Sequence, residues 1–441
     1  MRTIKALMLA ILAAAILGAC NPSSFSSALD RAPVVTFTPP GASTGALFIL
    51  PLLPSSEAGT TSAARMLVSR KDTPYLAVAD YDMDGKVTLS EAYSADFGGT
   101  PVNSAAARPD GTIILGTPSA GGTTQPGGRV STLTLSPIVG GGYNFAIKGG
   151  LQGGGAVSRV GIAVAEGNVV GPTSGDFVVV GDNSVHVLGP DGKTELGSTS
   201  CASVQLGTGD FYAPRPVGVG NLLAGGFDEI VLGAPGRVLF LQWDSTTNTL
   251  PCPTNLLTNA AVASFGASLV VADFDGDQNQ DLAVGAPQDR VFVYFGPLDG
   301  VATPTVTITN STISGFGSSL ASYQVPGQLM AQLLVADPHG SAAGGRPGAG
   351  RALLFSITRA LPMLSDANAT AVFFDSNEDA DPGKFGEVVG GLMFNTALCL
   401  PSGPVQLVPW ASDGVDLLAF FNYPTTVPPA AVDPRCFALQ P

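Results

Sequence analysis

Short apolar runs, each stopped by a small or turn-forming residue, recur along this chain at nearly one interval. Phe177-Val-Val-Val-Gly181, Glu229-Ile-Val-Leu-Gly233 and Asp281-Leu-Ala-Val-Gly285 begin 52 residues apart in both steps, and Gln332-Leu-Leu-Val-Ala336 follows 51 residues later. Looser copies stand at Thr112-Ile-Ile-Leu-Gly116 and Val405-Gln-Leu-Val-Pro409. A second run follows several of these, at Ser184–Leu188, Arg237–Leu241, Arg290–Tyr294 and Arg351–Phe355. A third precedes them, as at Val160–Val164 and Ser268–Ala272. Runs this short, bounded by Gly and Pro, are strands rather than helices. With one less regular strand in each linker, the unit is a four-stranded antiparallel sheet of about 50 residues.

Four strands repeating at this length predict an all-β fold, a β-propeller of four-stranded blades. A strand covered on both faces by neighbouring blades reads as a continuous apolar run instead of an alternating one. A period of 52 is too long for a β-helix coil, and a sandwich has no reason to repeat. Six repeats fall between residues 97 and 425. Strands at 46–50, 65–68, 75–79 and 87–89 add another, so seven blades are expected, with six blades plus a small N-terminal unit as the alternative.

Composition fits this pattern. The 441 residues include 56 Gly and 35 Pro, which oppose long helices and coiled coils. Hydrophobic residues make up 45% and charged residues only 12%, against about 25% charged in ordinary soluble chains. Strands packed between blades need that apolar content. The net charge of -14 disfavours nucleic acid and anionic lipid as partners and suits divalent cations.

The N-terminus carries its own signal. Arg2 and Lys5 precede an apolar stretch from Ala6 to Ala19, too short to span a bilayer. Its end, Leu17-Gly18-Ala19-Cys20, resembles the bacterial lipobox in all four positions. The resemblance implies a signal peptide over 1–19 and a lipid on Cys20, hence an exported lipoprotein of the cell envelope, at the outer membrane or cell surface rather than the inner membrane. The Ser- and Pro-rich stretch that follows makes 20–45 a flexible tether, leaving 46–441 for the propeller. Four further cysteines, Cys201, Cys252, Cys399 and Cys436, suit two disulfides in an exported chain. Three pairings are possible; Cys201 with Cys252 and Cys399 with Cys436 close the shorter loops.

Phe265-Gly266, then Asp273-Phe-Asp-Gly-Asp-Gln-Asn-Gln-Asp281, then Leu282-Ala-Val-Gly-Ala-Pro287 resembles the FG-GAP repeat of the integrin α-chain propeller. Fragments recur at Phe97-Gly98, Gly116-Thr-Pro118, Gly233-Ala-Pro235, Phe316-Gly317 and Phe385-Gly386. Asp273, Asp275, Asp277 and Asp281 alternate along a tight loop that Gly276 lets turn, which is how a chain presents several oxygens to Ca²⁺. The resemblance implies that Asn279 adds its backbone carbonyl and that the loop joins the first two strands of a blade.

A second loop has the spacing of an EF-hand, with Asp80, Asp82, Asp84, Gly85, Lys86, Thr88 and the potentially bidentate Glu91. Its approach, Pro74 to Ala79, has strand rather than helix character, so a blade edge is expected around it, with a short helix from Ser90 to Ala95 after it. One or two structural Ca²⁺ sites are therefore expected. Glu166, Asn168, Asp176, Asn221 and Asp228 offer too few carboxylates for more, and the run Asp375, Asn377, Asp379, Asp381 suits a solvated loop.

Catalytic motifs are missing from the sequence. The G-x-S-x-G match at Gly41-Ala-Ser43-Thr-Gly45 falls in the Ser- and Pro-rich stretch and not at a strand-to-helix elbow, and there is no phosphate-binding Gly-rich loop. The two histidines, His186 and His339, have no Zn²⁺-ligand spacing. These features favour a non-enzyme, a lipid-anchored interaction or adhesion module holding a protein or glycan partner at the cell surface. The alternative is a propeller enzyme or carbohydrate-binding protein acting on envelope polymers. Only two Trp and eight Tyr weaken its sugar-binding form.

Overall fold

The computed structural model describes residues 35–37, 47–52, 62–70, 75–82, 87–92, 388–395, 405–412 and 417–419. It also describes 100–373 except 109, 119–126, 139–141, 154–158, 202–215, 224–225, 235, 254, 260, 288–289, 299–302, 311–314, 325–329, 342–347 and 349. Structure among these residues is almost wholly strand, with one 3-10 turn at Asp366–Asn368.

The N-terminal strands are β1 (Val35–Phe37), β2 (Leu47–Leu52), β3 (Ser62–Arg70), β4 (Leu76–Asp82) and β5 (Val87–Ala92). Three four-stranded antiparallel sheets follow. The first is β6 (Ser104–Ala107), β7 (Ile113–Thr117), β8 (Arg129–Pro137) and β9 (Tyr143–Gln152). The second is β10 (Ala163–Gly167), β11 (Asp176–Val180), β12 (Val185–Leu188) and β13 (Glu195–Thr199). The third is β14 (Val217–Gly220), β15 (Glu229–Ala234), β16 (Arg237–Leu241) and β17 (Asn255–Thr258).

Next come β18 (Ser268–Ala272), β19 (Asp281–Ala286), β20 (Arg290–Tyr294) and β21 (Val306–Thr309). The next sheet is β22 (Leu320–Gln324), β23 (Ala331–Asp337) and β24 (Arg351–Phe355), completed by β26 (Ala371–Phe373). Between β24 and β26 the chain crosses over as β25 (Met363–Ser365), which pairs in parallel with β21 as a fifth strand of that neighbouring sheet. The chain ends in β27 (Val388–Asn395), β28 (Val405–Ser412) and β29 (Leu417–Ala419).

The sequence pattern predicts seven separate sheets; the described residues form six, the number of the alternative, because chain ends merge. One eight-stranded sheet holds β2–β5 together with β27–β29 and β1, joined where Phe394 of β27 pairs with Ala64 of β3. The N-terminal strands are thus not a small unit standing apart. Around the ring, β6 lies against β10, then β14, β18, β22 and β27 in turn, and β27 lies against β2, which returns to β6. Val35–Phe37 pairs with Leu417–Ala419 inside the segment expected as a tether, so the fold reaches back to β1.

Core residues sit between sheets. β7, β11, β15 and β19 are buried along their whole length, because a neighbouring sheet covers each face. One interface packs Ile114, Val130 and Val164 with Phe177, Val179 and Leu188. The next joins Val178, Val180 and Val185 to Ile230, Leu239 and Trp243. Fully burying each such side chain stabilises by roughly 1.5–3 kcal/mol.

The Phe–Gly and Gly–Ala motifs meet at the same interfaces. A Cβ on Gly116, Gly233 or Gly285 would lie less than 3.0 Å from the carbonyl oxygen of Gly161, Gly266 or Gly317, each at the start of the next sheet. The three partner glycines have φ of +81°, +88° and +84°, a region L side chains rarely adopt. One glycine of each pair therefore provides space and the other provides conformation. Ser268 Oγ seals one pair by donating to Gly317 O at 2.6 Å, and Ser104 Oγ donates to Gly161 O at 3.2 Å.

At the outer edge, Cys201 after β13 and Cys252 before β17 form a disulfide between adjacent sheets, with Cα atoms 6.1 Å apart. Cys20, Cys399 and Cys436 lie outside the described residues. Among the described residues no helix is long and apolar enough to cross a membrane.

Candidate functional site

The loop between β18 and β19 is organised by its own carboxylates. Asp281 opens β19 opposite Ala272 and is fully buried. Its Oδ2 accepts the Phe274 N–H at 2.7 Å and its Oδ1 the Gly296 N–H at 2.9 Å. Asp273 accepts from the Gly276 N–H at 2.6 Å and the Gln278 N–H at 2.9 Å. Asp275 accepts the Asp277 N–H at 3.2 Å, and Asp277 the Asn279 N–H at 2.8 Å. Gly276 and Gln278 turn the loop through positive φ, +82° and +71°.

This curl brings ligand oxygens of Asp273, Asp275 and Asp281 within 4.8 Å of one another. Burial pushes the Asp281 carboxyl up to about 7, and the charges of Asp275 and Asp273 add to that rise against the opposing N–H donors. Three carboxylates, one of them buried, offer hard oxygen donors that fit a Ca²⁺-sized cation, which would relieve their repulsion. Asp277 stands outside this trio. Its Oδ2 accepts Arg359 Nη2 at 2.7 Å, while Arg359 Nε pairs with Asp275 Oδ2. Asn279 is a loop residue beside Asp277, and Arg359 leaves no local sequence signal because it lies 82 residues from Asp277.

The stretch 80–91 is a hairpin. β4 and β5 pair with Asp80 opposite Thr88 and Ala77 opposite Glu91. Asp80 pairs with Arg65 Nε at 3.2 Å. The described strands are the blade edge expected around this loop, and strand rather than helix continues through Ser90 to Ala92. Asp82 is a strand residue; Asp84 and Lys86 lie outside the described residues, as do Phe97-Gly98, Phe385-Gly386 and the run from Asp375 to Asp381.

Two other sheets show the same loop without the acidic set. Asp176 opens β11 as Asp281 opens β19, and its Oδ2 accepts the Val170 N–H at 2.8 Å. Glu229 opens β15, and its Oε2 accepts the Leu222 and Leu223 N–H groups at 2.8 and 3.0 Å. The equivalent residues are therefore Asp176, Glu229 and Asp281, not the Phe177 that the 52-residue alignment selects. Asn168 and Asp228 hold these two sheets together, with Asn168 N–H donating to Asp228 Oδ2 at 2.7 Å. Burial raises the Glu166 carboxyl.

His186 links Glu195 Oε1, 2.8 Å from its Nδ1, to Ser184 Oγ, 2.9 Å from its Nε2. Ser184 is buried in the β11–β12 turn, with Oγ against Gly181, so the trio fastens a hairpin. His339 is an exposed turn residue after β23.

A ring of mainly four-stranded sheets with an acidic loop between the first two strands of one of them is a β-propeller with a candidate cation site. Residues 265–296, from Phe265 through that loop to Gly296, match the FG-GAP repeat. A solved structure described as "Structure of Dos1 propeller" is similar over 72% of this chain and 71% of that chain, at 12% identity and a TM-score of 0.40.

Proposed function

We propose that this chain is a calcium-stabilised FG-GAP-type propeller that serves as a rigid interaction or adhesion module at the bacterial cell surface, tethered by a lipid on Cys20. The observation that carries the calcium part is the convergence of Asp273, Asp275 and buried Asp281 within an FG-GAP repeat. Asp277 and the Asn279 carbonyl complete the ligand set. The ion is structural: it neutralises a loop that joins two strands of one blade, and the rigid ring then presents its loops to a protein or glycan partner. Anchoring and export follow from Leu17-Gly18-Ala19-Cys20.

Sites of extracellular type bind at roughly 10⁻⁴–10⁻³ M, so 10 mM Ca²⁺ stabilises the fold by about 1.4–2.7 kcal/mol. Thermal unfolding should move upward in Ca²⁺ and downward in chelator, and Asp273→Asn with Asp281→Asn should abolish the shift. An identical melting curve in both conditions sinks the calcium reading. Separately, Cys20→Ala should release the chain from membrane fractions; continued membrane association would refute the lipid anchor.

A further inference from the structure

Arg359 belongs to the crossover between β24 and β25, outside the strands that hold the acidic loop. It nevertheless reaches that loop with both arms of its fork, Nε to Asp275 Oδ2 and Nη2 to Asp277 Oδ2. Its guanidinium lies over the Phe295 ring, 4.9 Å from the centroid. Asp275 is only 7% exposed while Arg359 is 52% exposed, so the cation caps the loop from the solvent side. The same two carboxylates are the ones that the calcium reading needs beside Asp273 and Asp281.

We propose that Arg359 is a tethered competitor for the metal, one that neutralises Asp275 and Asp277 in the cation-free protein and sets the loop's affinity by having to leave them. The inference rests on the calcium reading. A divalent ion and a guanidinium repel each other, and Asp277 has to turn from Arg359 to join the other three carboxylates. Phe295 gives the displaced arginine a place to rest, since a cation over an aromatic face keeps a favourable contact. Metal binding therefore loosens the segment from Ser356 to Pro362 while β25 stays paired to β21.

Calorimetric Ca²⁺ titration of the full chain and of Arg359→Gln tests this. Losing a half-exposed double ion pair should tighten Ca²⁺ binding about three- to tenfold, with Arg359→Lys between the two. Hydrogen exchange of the 356–361 amides should speed up on adding Ca²⁺ to the wild-type chain. Equal or weaker Ca²⁺ binding by Arg359→Gln overturns the competitor role alone. Absence of Ca²⁺ binding in both chains overturns the calcium reading and this inference with it.

Discussion

Replacing Gly285 by Ala tests whether glycine contacts between blades hold the ring together. Gly285 lies inside β19 and is not among the positive-φ glycines, so its backbone suits alanine. In open space the change would stabilise by about 0.4–1 kcal/mol, because alanine restricts the unfolded chain. Here the added Cβ falls less than 3.0 Å from Ser268 Oγ and from the Gly317 carbonyl oxygen of the next blade. Ser268 can rotate, but only by giving up its buried hydrogen bond to Gly317, at about 1–3 kcal/mol. The Gly317 carbonyl yields only if one blade shifts against another, and overpacking of this kind costs about 1–3 kcal/mol.

The net expectation for Gly285→Ala is destabilisation by about 2–4 kcal/mol. With an unfolding entropy near 2.1 cal/mol/K per residue, a propeller of about 400 residues loses about 2–5 °C in Tm. Differential scanning calorimetry at saturating Ca²⁺ measures it, with Gly236→Ala as control. Gly236 has φ +75° and no heavy atom within 4 Å of a built Cβ, so it reports backbone strain without collision. A Tm for Gly285→Ala equal to or above wild type refutes the glycine lock, since the sign itself separates crowding from chain entropy.

Two further outcomes follow from the same geometry. Asp281 is raised from 3.8 to about 7 in the cation-free fold; the stability it contributes is complete below its unfolded value and lost as pH rises through the folded one. In chelator the Tm should therefore fall between pH 4 and pH 7.5, and Ca²⁺ or Asp281→Asn should flatten that slope; a slope unchanged by Asp281→Asn assigns it elsewhere. The Cys201–Cys252 bridge spans 51 residues, so chain entropy alone gives it about 4 kcal/mol. Cys201→Ser with Cys252→Ser should lower the denaturation midpoint, and an unchanged midpoint refutes the stabilising role.

The blade pattern was legible because burial on both faces leaves a mark in the sequence. Phe177–Val180, Ile230–Leu232 and Leu282–Val284 are apolar without alternation, and each proves to be a second strand between neighbouring sheets. The closure of the ring was not legible. Val35–Phe37 pairs with Leu417–Ala419 and Ala64 with Phe394, and no local pattern tells a strand which distant edge it will complete. The 80–91 stretch was legible in part. Its residue types match a calcium loop, while its flanks, Leu76–Ala79 and Val87–Leu89, have strand character and pair antiparallel, as the expected blade edge requires. Arg359 was hidden because its carboxylate partners are remote in sequence and share only a surface with it.

The acidic loop is best understood as an addition to a fastening that other blades already use. A carboxylate opens the second strand as Asp176, Glu229 or Asp281 and accepts backbone N–H groups from the loop that precedes it. Burial is the first cause that raises the last two of these acids. In Glu229 the Leu222 and Leu223 amides and Gln242 Nε2 satisfy the side chain, and the loop needs nothing more. At Asp281 the added Asp273 and Asp275 turn the same fastening into a repelling cluster. Such repulsion is relieved by a nearby cation; Arg359 supplies that charge to Asp275, and a bound divalent ion would supply it to the trio. Replacing Asp273 and Asp275 by Asn should accordingly leave a loop closed by Asp281 alone, stable in chelator and indifferent to Ca²⁺; unfolding of that blade in chelator would show that the carboxylates themselves shape the turn.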